Sequence, residues 1–371
     1  HAAYIRTVED EWRAVTNRVL AFRDHPAVLG WYMSDERPVS QIDSLVRHQR
    51  WMEELDPDHP TWTVTLGSAE RACADYADVS DALGNDPYPI GIRRGWQKQG
   101  LASVANATRS IVAAMHGIRS VVQVPQVFDW CAFRPGAKED YGSRAPTREE
   151  MRSMFWQMVA CGANGIIAYT FNEKHLAVNG RTFEERWADI CAVGEEIRAR
   201  IPVILSVEPA PEVADVPAGL CARTWRHEGK VWLLAVNTER EPRAATLRLK
   251  GTGSARVDLP PLGVDFREKK RYTPFLTAGL TAGLVTGEGK TNFCWGIPLG
   301  AGFKVRISPR LNAHIAMLMT KTFSDELDGI GDPEWIKSST LIGNDWLAAI
   351  RIGLTVNFLQ RCVECRNQDS W

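Results

Sequence analysis

The sequence contains no uninterrupted apolar run of about 18 residues, and this absence excludes a transmembrane helix. It also lacks an excess of either charge, because 44 Lys and Arg are balanced by 45 Asp and Glu. A general nucleic-acid binder needs a basic excess to meet the phosphate backbone, so this balance disfavours that class. Hydrophobic residues at 44% and charged residues at 24% are ordinary values and exclude a largely disordered chain.

Metal-binding and nucleotide-binding patterns are missing as well. Of eight Cys, only Cys362 and Cys365 form a C-x-x-C pair, and no second pair completes a zinc site. The remaining candidate ligands are isolated histidines, such as His116, His175, His227 and His314. No Gly-rich phosphate loop follows a predicted strand, which disfavours a dinucleotide-binding fold. We therefore expect neither a metal nor another cofactor.

Residues 1–200 alternate between short apolar runs and amphipathic helical stretches. The apolar runs are 28–33, 62–66, 79–86, 120–127 and 165–171. The helical patterns are 39–55, 69–76, 101–117, 147–162 and 182–200, preceded by one that includes Trp12, Val15, Val19 and Phe22. This alternation predicts a parallel α/β sheet covered by helices. A barrel of βα units fits best, although five units are fewer than the roughly eight that close one.

The period of the pattern changes to two after residue 203. Residues 221–225, 230–236 and 244–249 predict antiparallel strands of a small β-sandwich, with turns at 227–229 and 239–242. Longer alternating runs follow at 295–308, 311–323 and 345–358, with a weaker one at 274–285. One side of each run is apolar and the other is small or polar, a pattern typical of membrane β-barrel strands. An ordinary extra β domain is the alternative.

Polar and aromatic residues follow the predicted strands of the first region, where a parallel barrel places its working groups. Asp35 and Glu36 end the first run, beside Trp31 and Tyr32. Later runs end on further groups of this kind: Asp86, Tyr88, Gln126, Asp129, Trp130 and Tyr169. Carboxyls can transfer protons or attack an anomeric carbon, amides can bind hydroxyls, and aromatic rings can stack on sugars. These residues predict a carbohydrate site.

Three strand ends carry a family resemblance: 31–38, Asp86-Pro87-Tyr88-Pro89 and 126–130. Over about residues 1–200 the chain resembles the second half of a glycoside-hydrolase TIM barrel of the beta-galactosidase-like clan. The resemblance implies that 28–33 is the fourth barrel strand, that strands one to three precede His1, and that Glu36 is the general acid/base. It also implies that a β-sandwich follows the barrel.

The sequence departs from the clan at Gln126, which stands near the place of the clan's nucleophilic Glu. Glutamine cannot form a glycosyl ester, so three alternatives stay open. Asp129 could supply the second carboxylate, Asp35 and Glu36 could act as a pair in a substrate-assisted reaction, or the site could bind sugar without cleaving it. Structural roles compete throughout: Asp35 could cap the next helix, Asp86 could serve a turn before Pro87, and Asp129 could be a solvated loop carboxylate. Trp130 and Tyr169 could be core residues.

The C-terminal runs carry a second resemblance. Residues 299–323, the Asp325-Glu326-Leu327-Asp328-Gly329 segment and 343–358 resemble the last strands of a Bacteroidetes-type outer-membrane barrel. We therefore divide the chain into a partial glycosidase-like barrel (1–202), a β-sandwich (203–265), membrane-barrel-like antiparallel strands (272–358) and a tail (359–371). The composition changes near 266–271, which suggests that fragments of two genes are joined. The alternative is one enzyme with an extra β domain.

Three functional hypotheses follow from these patterns. The first is a glycosidase with Glu36 as acid/base, inactive as this chain because three barrel strands are lacking. The second is a non-catalytic carbohydrate-binding or structural barrel, and the third is an outer-membrane protein, which rests on the C-terminal runs alone. The expected partner is a carbohydrate rather than nucleic acid, with a membrane only in the third case. The first two place residues 1–265 in the periplasm or cytoplasm, and the third places the C-terminal strands in the outer membrane.

Overall fold

A five-stranded parallel sheet forms the first part of the protein. The computed structural model describes residues 6–67, 70–91, 100–133, 143–269, 272–287, 290–307, 311–323 and 346–356. The strands are β1 (Trp31–Arg37), β2 (Thr61–Thr65), β3 (Ala82–Gly84), β4 (Ser120–Gln123) and β5 (Gly165–Ile166). They pair in chain order, β1-β2-β3-β4-β5, in parallel. This confirms the predicted partial (β/α) barrel, with β1 and β5 at the ends of this strand order.

Helices connect these strands where the sequence predicts them. They are α1 (Val8–Phe22), α2 (Ile42–Leu55), α3 (Glu70–Ala74), α4 (Ala102–Met115), α5 (Arg148–Cys161), α6 (Glu173–Leu176), α7 (Phe183–Arg198) and α8 (Ile201–Ile204), with 3-10 turns at Val39–Gln41 and Trp130–Ala132. Capping boxes begin α1 at Thr7, α5 at Thr147 and α7 at Thr182. In each, the threonine hydroxyl and an acidic side chain three residues later satisfy backbone N–H groups of the first turn. Helix α5 ends at Gly162, whose φ of 110° suits glycine.

Apolar helix faces cover the sheet. One buried cluster combines Tyr76, Leu83, Ile111 and Met115, and another combines Met151, Met154 and Met158 of α5 with Val127 and Val193. Methionine fills irregular space well because its side chain is unbranched and flexible. These two clusters hold α4, α5 and α7 against the strands and so fix the positions at which the strands end.

A β-sandwich follows, as predicted. It contains β6 (Val213–Ala214), β7 (Leu220–His227), β8 (Lys230–Asn237), β9 (Arg243–Leu249), β10 (Gly253–Leu259) and β11 (Val264–Glu268), in the sheet orders β10-β9-β6 and β11-β8-β7. The β7–β8 hairpin turns on Glu228 and Gly229, both with positive φ, as a tight two-residue turn requires. Trp156 of α5 packs with Trp225 and Leu234 of the sandwich. Buried Glu150 of α5 binds Arg144 and Arg240, which joins helix and sandwich.

The C-terminal strands form a separate antiparallel sheet. They are β12 (Tyr272–Ala278), β13 (Thr281–Gly287), β14 (Lys290–Arg306), β15 (Leu311–Thr322) and β16 (Trp346–Val356), in the order β12-β14-β15-β16 with β13 also on β14. The chain divides into two compact units, one of residues 1–247 and 257–268 and the other of 248–256 and 269–371. The predicted boundaries at 202 and 265 remain predictions, and the tail 359–371 lies outside the described residues, as does the segment 325–329.

The run predicted at 274–285 is two strands that share one register. Ala278 pairs with Leu299 and Thr281 pairs with Gly296, so the ladder resumes in step after a gap. The gap faces Pro298, whose carbonyl accepts a hydrogen bond from Gly279 at 3.1 Å. Proline has no N–H to return, and the ladder is interrupted there.

Candidate active site

Strand β1 ends in a bulge that contains Glu36. Asp35 pairs with Val64 of β2 and Arg37 pairs with the following residue, Thr65, so Glu36 has no partner in the ladder. Its φ of 47° lies in the left-handed region, which residues with side chains rarely adopt. Bulges interrupt the alternation of a strand and re-aim side chains. The bulge therefore explains why Asp35 and Glu36, although adjacent in sequence, lie close enough for the charge of Asp35 to act on the Glu36 carboxyl group.

Asp86, two residues beyond β3, belongs to the same carboxyl cluster. Burial raises the pKa of Glu36, and the negative charge of Asp35 raises it further. Burial, followed by the charges of Glu36 and Asp35, raises the pKa of Asp86 to about 7. Glu36 reaches solvent while Asp86 is partly buried. Near neutral pH Asp86 can therefore both hold and release a proton.

Two tyrosine hydroxyl groups donate hydrogen bonds to this cluster. Tyr32 bonds to Asp35 and Tyr88 bonds to Asp86. Burial raises the pKa of both tyrosines, and the neighbouring carboxyl charges raise it further. Both hydroxyls therefore stay protonated and act as donors. The hydrogen bond from Tyr88 opposes the rise in the Asp86 pKa, because it stabilises the carboxylate.

Aromatic rings line the side of the cluster that is formed by the ends of β4 and β5. The Tyr88 ring lies 4.9 Å from Phe128 and 6.1 Å from both Trp130 and Tyr169, measured between centroids. Phe133 stacks on Tyr169. Tyr169 and Phe133 are 39% and 38% exposed, so this wall of rings reaches solvent. Tyr88, Trp130 and Tyr169, all predicted as substrate-binding residues, are thus brought together.

Trp31 lies apart from this group. Its indole Nε1 donates to Asp56 at 2.8 Å, and its ring packs with Val19 and Met52 on the helical side of the sheet. Successive strand residues point to opposite faces, which explains why Trp31 and Tyr32 separate. The Trp31 indole therefore has a hydrogen-bond partner in the scaffold, and its role in substrate binding stays a prediction.

The Gln126 amide is fully engaged with backbone groups. Its Oε1 accepts from the N–H of Ile90 at 2.9 Å, and its Nε2 donates to the carbonyls of Ile90 and Phe128 at 2.9 and 3.2 Å. The side chain is completely buried. Gln126 thus ties the segment after β3 to the segment after β4, and both amide protons are already used.

Asp129 is similarly occupied. One carboxylate oxygen accepts from the N–H of Cys131 at 2.9 Å and from the Ser143 hydroxyl at 2.8 Å, and the other accepts from the Asn179 amide at 2.6 Å. Only 1% of the residue is exposed. The first of these bonds caps the short 3-10 turn at Trp130–Ala132. Asp129 thus fixes the loop that carries Trp130.

Sequence reasoning missed two features of the site. Trp62 of β2 packs against Tyr32, with ring centroids 4.7 Å apart, and its Nε1 donates to the carbonyl of Val122. The position of Trp62 within a predicted strand could have indicated that its ring lies on the same side of the sheet as Tyr32. The second feature is a buried polar network in which Gln123 bonds Asn85 and Thr108. No local pattern marks that network, since its members come from three elements.

The part of the chain that the structure describes lacks two further features. It contains no group of three or more His, Cys, Asp or Glu side chains positioned to hold a metal ion. It also contains no helix long and apolar enough to cross a membrane.

Comparison with known proteins gives distant structural likeness. No family model and no curated protein matches the chain. It is similar to Eubacterium rectale Amy13B (13% identity, 70% of this chain and 63% of that chain, TM-score 0.45). It is also similar to an alpha-amylase from Geobacillus thermoleovorans complexed with acarbose (12%, 70% and 64%, 0.45). A third is a cyclic alpha-maltosyl-(1→6)-maltose hydrolase from Arthrobacter globiformis (10%, 71% and 61%, 0.44). The chain spans less than two thirds of each, and the likeness concerns the fold alone. The beta-galactosidase-like clan and the outer-membrane resemblance remain predictions.

Proposed function

We propose that residues 1–202 form a glycosidase-like carbohydrate site in which Glu36 is the general acid/base. The observation that carries this proposal is the carboxyl cluster of Asp35, Glu36 and Asp86 beside a wall of aromatic rings. Both belong to the C-terminal ends of parallel strands, where such barrels place their chemistry. Carboxyls with raised pKa values can protonate a glycosidic oxygen, and the rings offer apolar faces to a sugar.

Asp86, rather than Asp129, takes the role of the second carboxyl group. The Asp129 oxygens already accept three hydrogen bonds inside the protein, whereas Asp86 interacts electrostatically with Glu36. Asp35, held by the Tyr32 hydroxyl, is the remaining member and keeps open a reaction in which the Asp35–Glu36 pair assists an acetamido group of the substrate. Gln126 and Trp31 have structural roles next to the site, because their side-chain nitrogen atoms donate hydrogen bonds to other groups of the protein.

This chain is proposed to bind sugar without efficient turnover. Within the residues that the structure describes, the parallel sheet has five strands, and β1 and β5 each pair with a single neighbour, while a closed barrel needs about eight strands. Tyr32 is 52% exposed, so water reaches the carboxyl cluster and weakens its electrostatic effects.

Binding and hydrolysis should be measured together on the full chain. Oligosaccharide binding is followed by calorimetry, and release of the chromophore is followed with a panel of aryl glycosides. We expect saturable binding that Glu36→Gln and Tyr169→Ala weaken by about 5-fold to 20-fold, which corresponds to loss of one hydrogen bond or one stacking contact. Asp78→Asn, at a carboxyl group whose side chain is 85% exposed, is the matched control and should leave binding unchanged.

Each outcome has one meaning. Turnover that Glu36→Gln abolishes would support Glu36 as the general acid/base and would contradict only the proposed lack of turnover. Binding without turnover supports a non-catalytic carbohydrate module in this chain. Absence of binding to any sugar tested would overturn the proposed site.

A second candidate function concerns the C-terminal sheet, and one observation favours it. Leu299, Phe303, Ile315, Met317 and Ile350 lie on one face and are 48–73% exposed. At one end of this face Trp295 stacks on Phe323 at 4.2 Å, and the Lys321 ammonium lies 5.1 Å from the Trp346 ring centroid. Aromatic and basic residues bordering an apolar band are typical of membrane-facing strands. We propose that this apolar face contacts lipid acyl chains.

The length of the apolar stretch along β14 agrees with a lipid-facing role for this face. Ile297 and Val305 lie eight positions apart on β14, which corresponds to about 27 Å of strand and, after tilting, to most of a roughly 25 Å apolar band. The opposite face carries small and polar residues together with Leu318, and it is tightly spaced: the His314 ring stands 2.5 Å from where a Cβ of Gly353 would be. A side chain at position 353 would therefore require the His314 ring to move.

Partition of the full chain into phospholipid vesicles tests this second candidate. Ile350→Arg places a charge on the apolar face, while Ala349→Arg places it on the other face of the same strand. We expect Ile350→Arg alone to reduce vesicle binding by about tenfold or more, because a charge at mid-depth costs about 2–4 kcal/mol. Equal binding by the two variants, or no binding by the unmodified chain, would overturn the lipid-facing assignment.

A further inference from the structure

Two cysteine thiols meet where the barrel portion contacts the sandwich. Cys161 is the last residue of α5 and Cys221 lies in β7. Their Sγ atoms are 3.5 Å apart, with the Cys161 thiol donating toward Cys221. Cys221 is fully buried and Cys161 partly exposed. They belong to the apolar cluster of Trp156 and Trp225, outside the carboxyl cluster.

A guanidinium group is aimed at this pair. Arg109 Nη2 donates to Cys221 Sγ at 3.3 Å and to the carbonyl of Leu220 at 3.3 Å. The hydrogen bond from Cys161, followed by the charge of Arg109, lowers the pKa of the Cys221 thiol against the effect of burial. The same hydrogen bond raises the pKa of Cys161. The arrangement therefore resembles a thiolate with a thiol donor beside it, which differs from two inert buried cysteines.

The geometry points to an oxidative modification site at which a hydroperoxide converts Cys161 and Cys221 into an intramolecular disulfide. A hydroperoxide enters past the partly exposed Cys161 and reaches the Cys221 sulfur. The Cys221 thiolate attacks one peroxide oxygen, the O–O bond breaks, and a sulfenic acid forms while the other oxygen leaves as water or an alcohol after taking a proton. The Cys161 sulfur then attacks the Cys221 sulfur, the S–O bond breaks, and the oxygen leaves as water with the Cys161 proton. Two thiols are oxidised and one hydroperoxide is reduced.

Little movement is needed to form this bond. A disulfide S–S distance of about 2.05 Å requires the sulfur atoms to approach by roughly 1.5 Å, a shift that side-chain rotation can supply. The bond would join residues separated by 60 positions, so it would constrain a long loop of the unfolded chain. It would fix α5 covalently to β7. All six described cysteines are free thiols in the structure: Cys161 and Cys221, and also Cys73, Cys131, Cys191 and Cys294.

Peptide mapping after peroxide treatment tests the inference on the full chain. The reduced protein is titrated with hydrogen peroxide, quenched with iodoacetamide, digested without reductant and analysed by mass spectrometry. We expect a linked peptide pair containing Cys161 and Cys221, lighter by two hydrogen atoms than the sum of the reduced peptides. Cys161→Ser should leave Cys221 as a sulfenic acid that dimedone traps, whereas Cys191→Ser, at an exposed cysteine, should leave the linked pair unchanged.

Thermal unfolding supplies a second readout. In a Cys362→Ser/Cys365→Ser background, which removes the C-x-x-C of the tail, oxidation should raise the Tm by about 5–10 °C. Cys161→Ser should abolish that rise. The inference is overturned if both thiols stay open to iodoacetamide after unfolding at peroxide doses that oxidise Cys191, or if Cys221 is found linked elsewhere. The peptide mapping uses the unmodified chain. It therefore tests the inference even if one of the variants fails to fold.

Discussion

Single side chains set the charge of the carboxyl cluster. Asp86 has a pKa of about 7 in the folded chain, against an ordinary value of 3.8. The folded state thus binds this proton more tightly than the unfolded state. Asp86 therefore contributes stability that is fully present below about pH 4 and is lost as the pH rises through about 7.

Asp86→Asn should remove this dependence. Between about pH 4 and pH 8 the free energy of unfolding of the unmodified chain should fall by roughly 2 kcal/mol more than that of the variant, after allowance for partial solvent screening. Urea unfolding across that pH range measures the difference. Asp78→Asn, at a solvent-exposed carboxyl, is the control and should follow the unmodified chain; a parallel pH profile for Asp86→Asn would show that Asp86 titrates normally.

Removing the Tyr88 hydroxyl should raise the Asp86 pKa further. Tyr88→Phe deletes a hydrogen bond that stabilises the carboxylate, and we expect an upward shift of about one unit. Carbon-13 NMR of the aspartate carboxyls follows the titration. Tyr32→Phe is the matched variant, because that hydroxyl bonds Asp35, and it should move the Asp86 midpoint by less than about 0.3 units. A larger response to Tyr32→Phe than to Tyr88→Phe would reverse the assignment.

Sequence position predicted which strand ends carry polar groups, but it did not predict where each side chain points. Asp86, Tyr88, Trp130 and Tyr169 follow strands that meet at one edge, so their proximity could be foreseen. Gln126 could not be separated from them by sequence, since its amide binds Ile90, 36 residues earlier. Tertiary hydrogen bonds of this kind leave no local pattern.

At the scale of elements, the helix caps differ in how much they contribute to the free energy of unfolding. The Thr147 hydroxyl accepts from Glu150, whose buried carboxylate also binds Arg144 and Arg240. Thr182 forms the same capping box at the start of α7, where it is exposed. Thr147→Ala should cost about 1.5–2 kcal/mol of unfolding free energy and Thr182→Ala about 0.5–1. Chemical denaturation of both variants tests this, and equal losses would mean that the Glu150 network adds nothing to the cap.

Most helices and strands could be predicted from the periodicity of the sequence, because their buried residues recur at regular intervals. Helical patterns at 101–117, 147–162 and 182–200 correspond to α4, α5 and α7 within two residues at each end. The bulge at Glu36 and the interruption at Pro298 could not be located, because both depend on what the neighbouring strand offers at one position. Period-two alternation gives the faces of a strand, while register and breaks are set by its partner.

The whole molecule contains two compact units, and they should differ in resistance to proteolysis. Unit 1, residues 1–247 and 257–268, has buried layers of helix and sheet, whereas the described strands of 269–371 expose an apolar face. In detergent-free buffer we expect trypsin to cut within 269–371 first. Mass spectrometry of the fragments gives the result. A compact, resistant 269–371 fragment would favour an ordinary extra β domain over joined fragments of two genes.

Chain-order pairing of β1 to β5 has a consequence for biosynthesis. Each strand hydrogen-bonds to the one made just before it, so every βα unit finds its docking partner already outside the ribosome. The sheet can therefore grow vectorially, with short loop closures at each step. For β1 to β5 the order of translation and the order of assembly coincide, and their pairing need not wait for residues beyond β5.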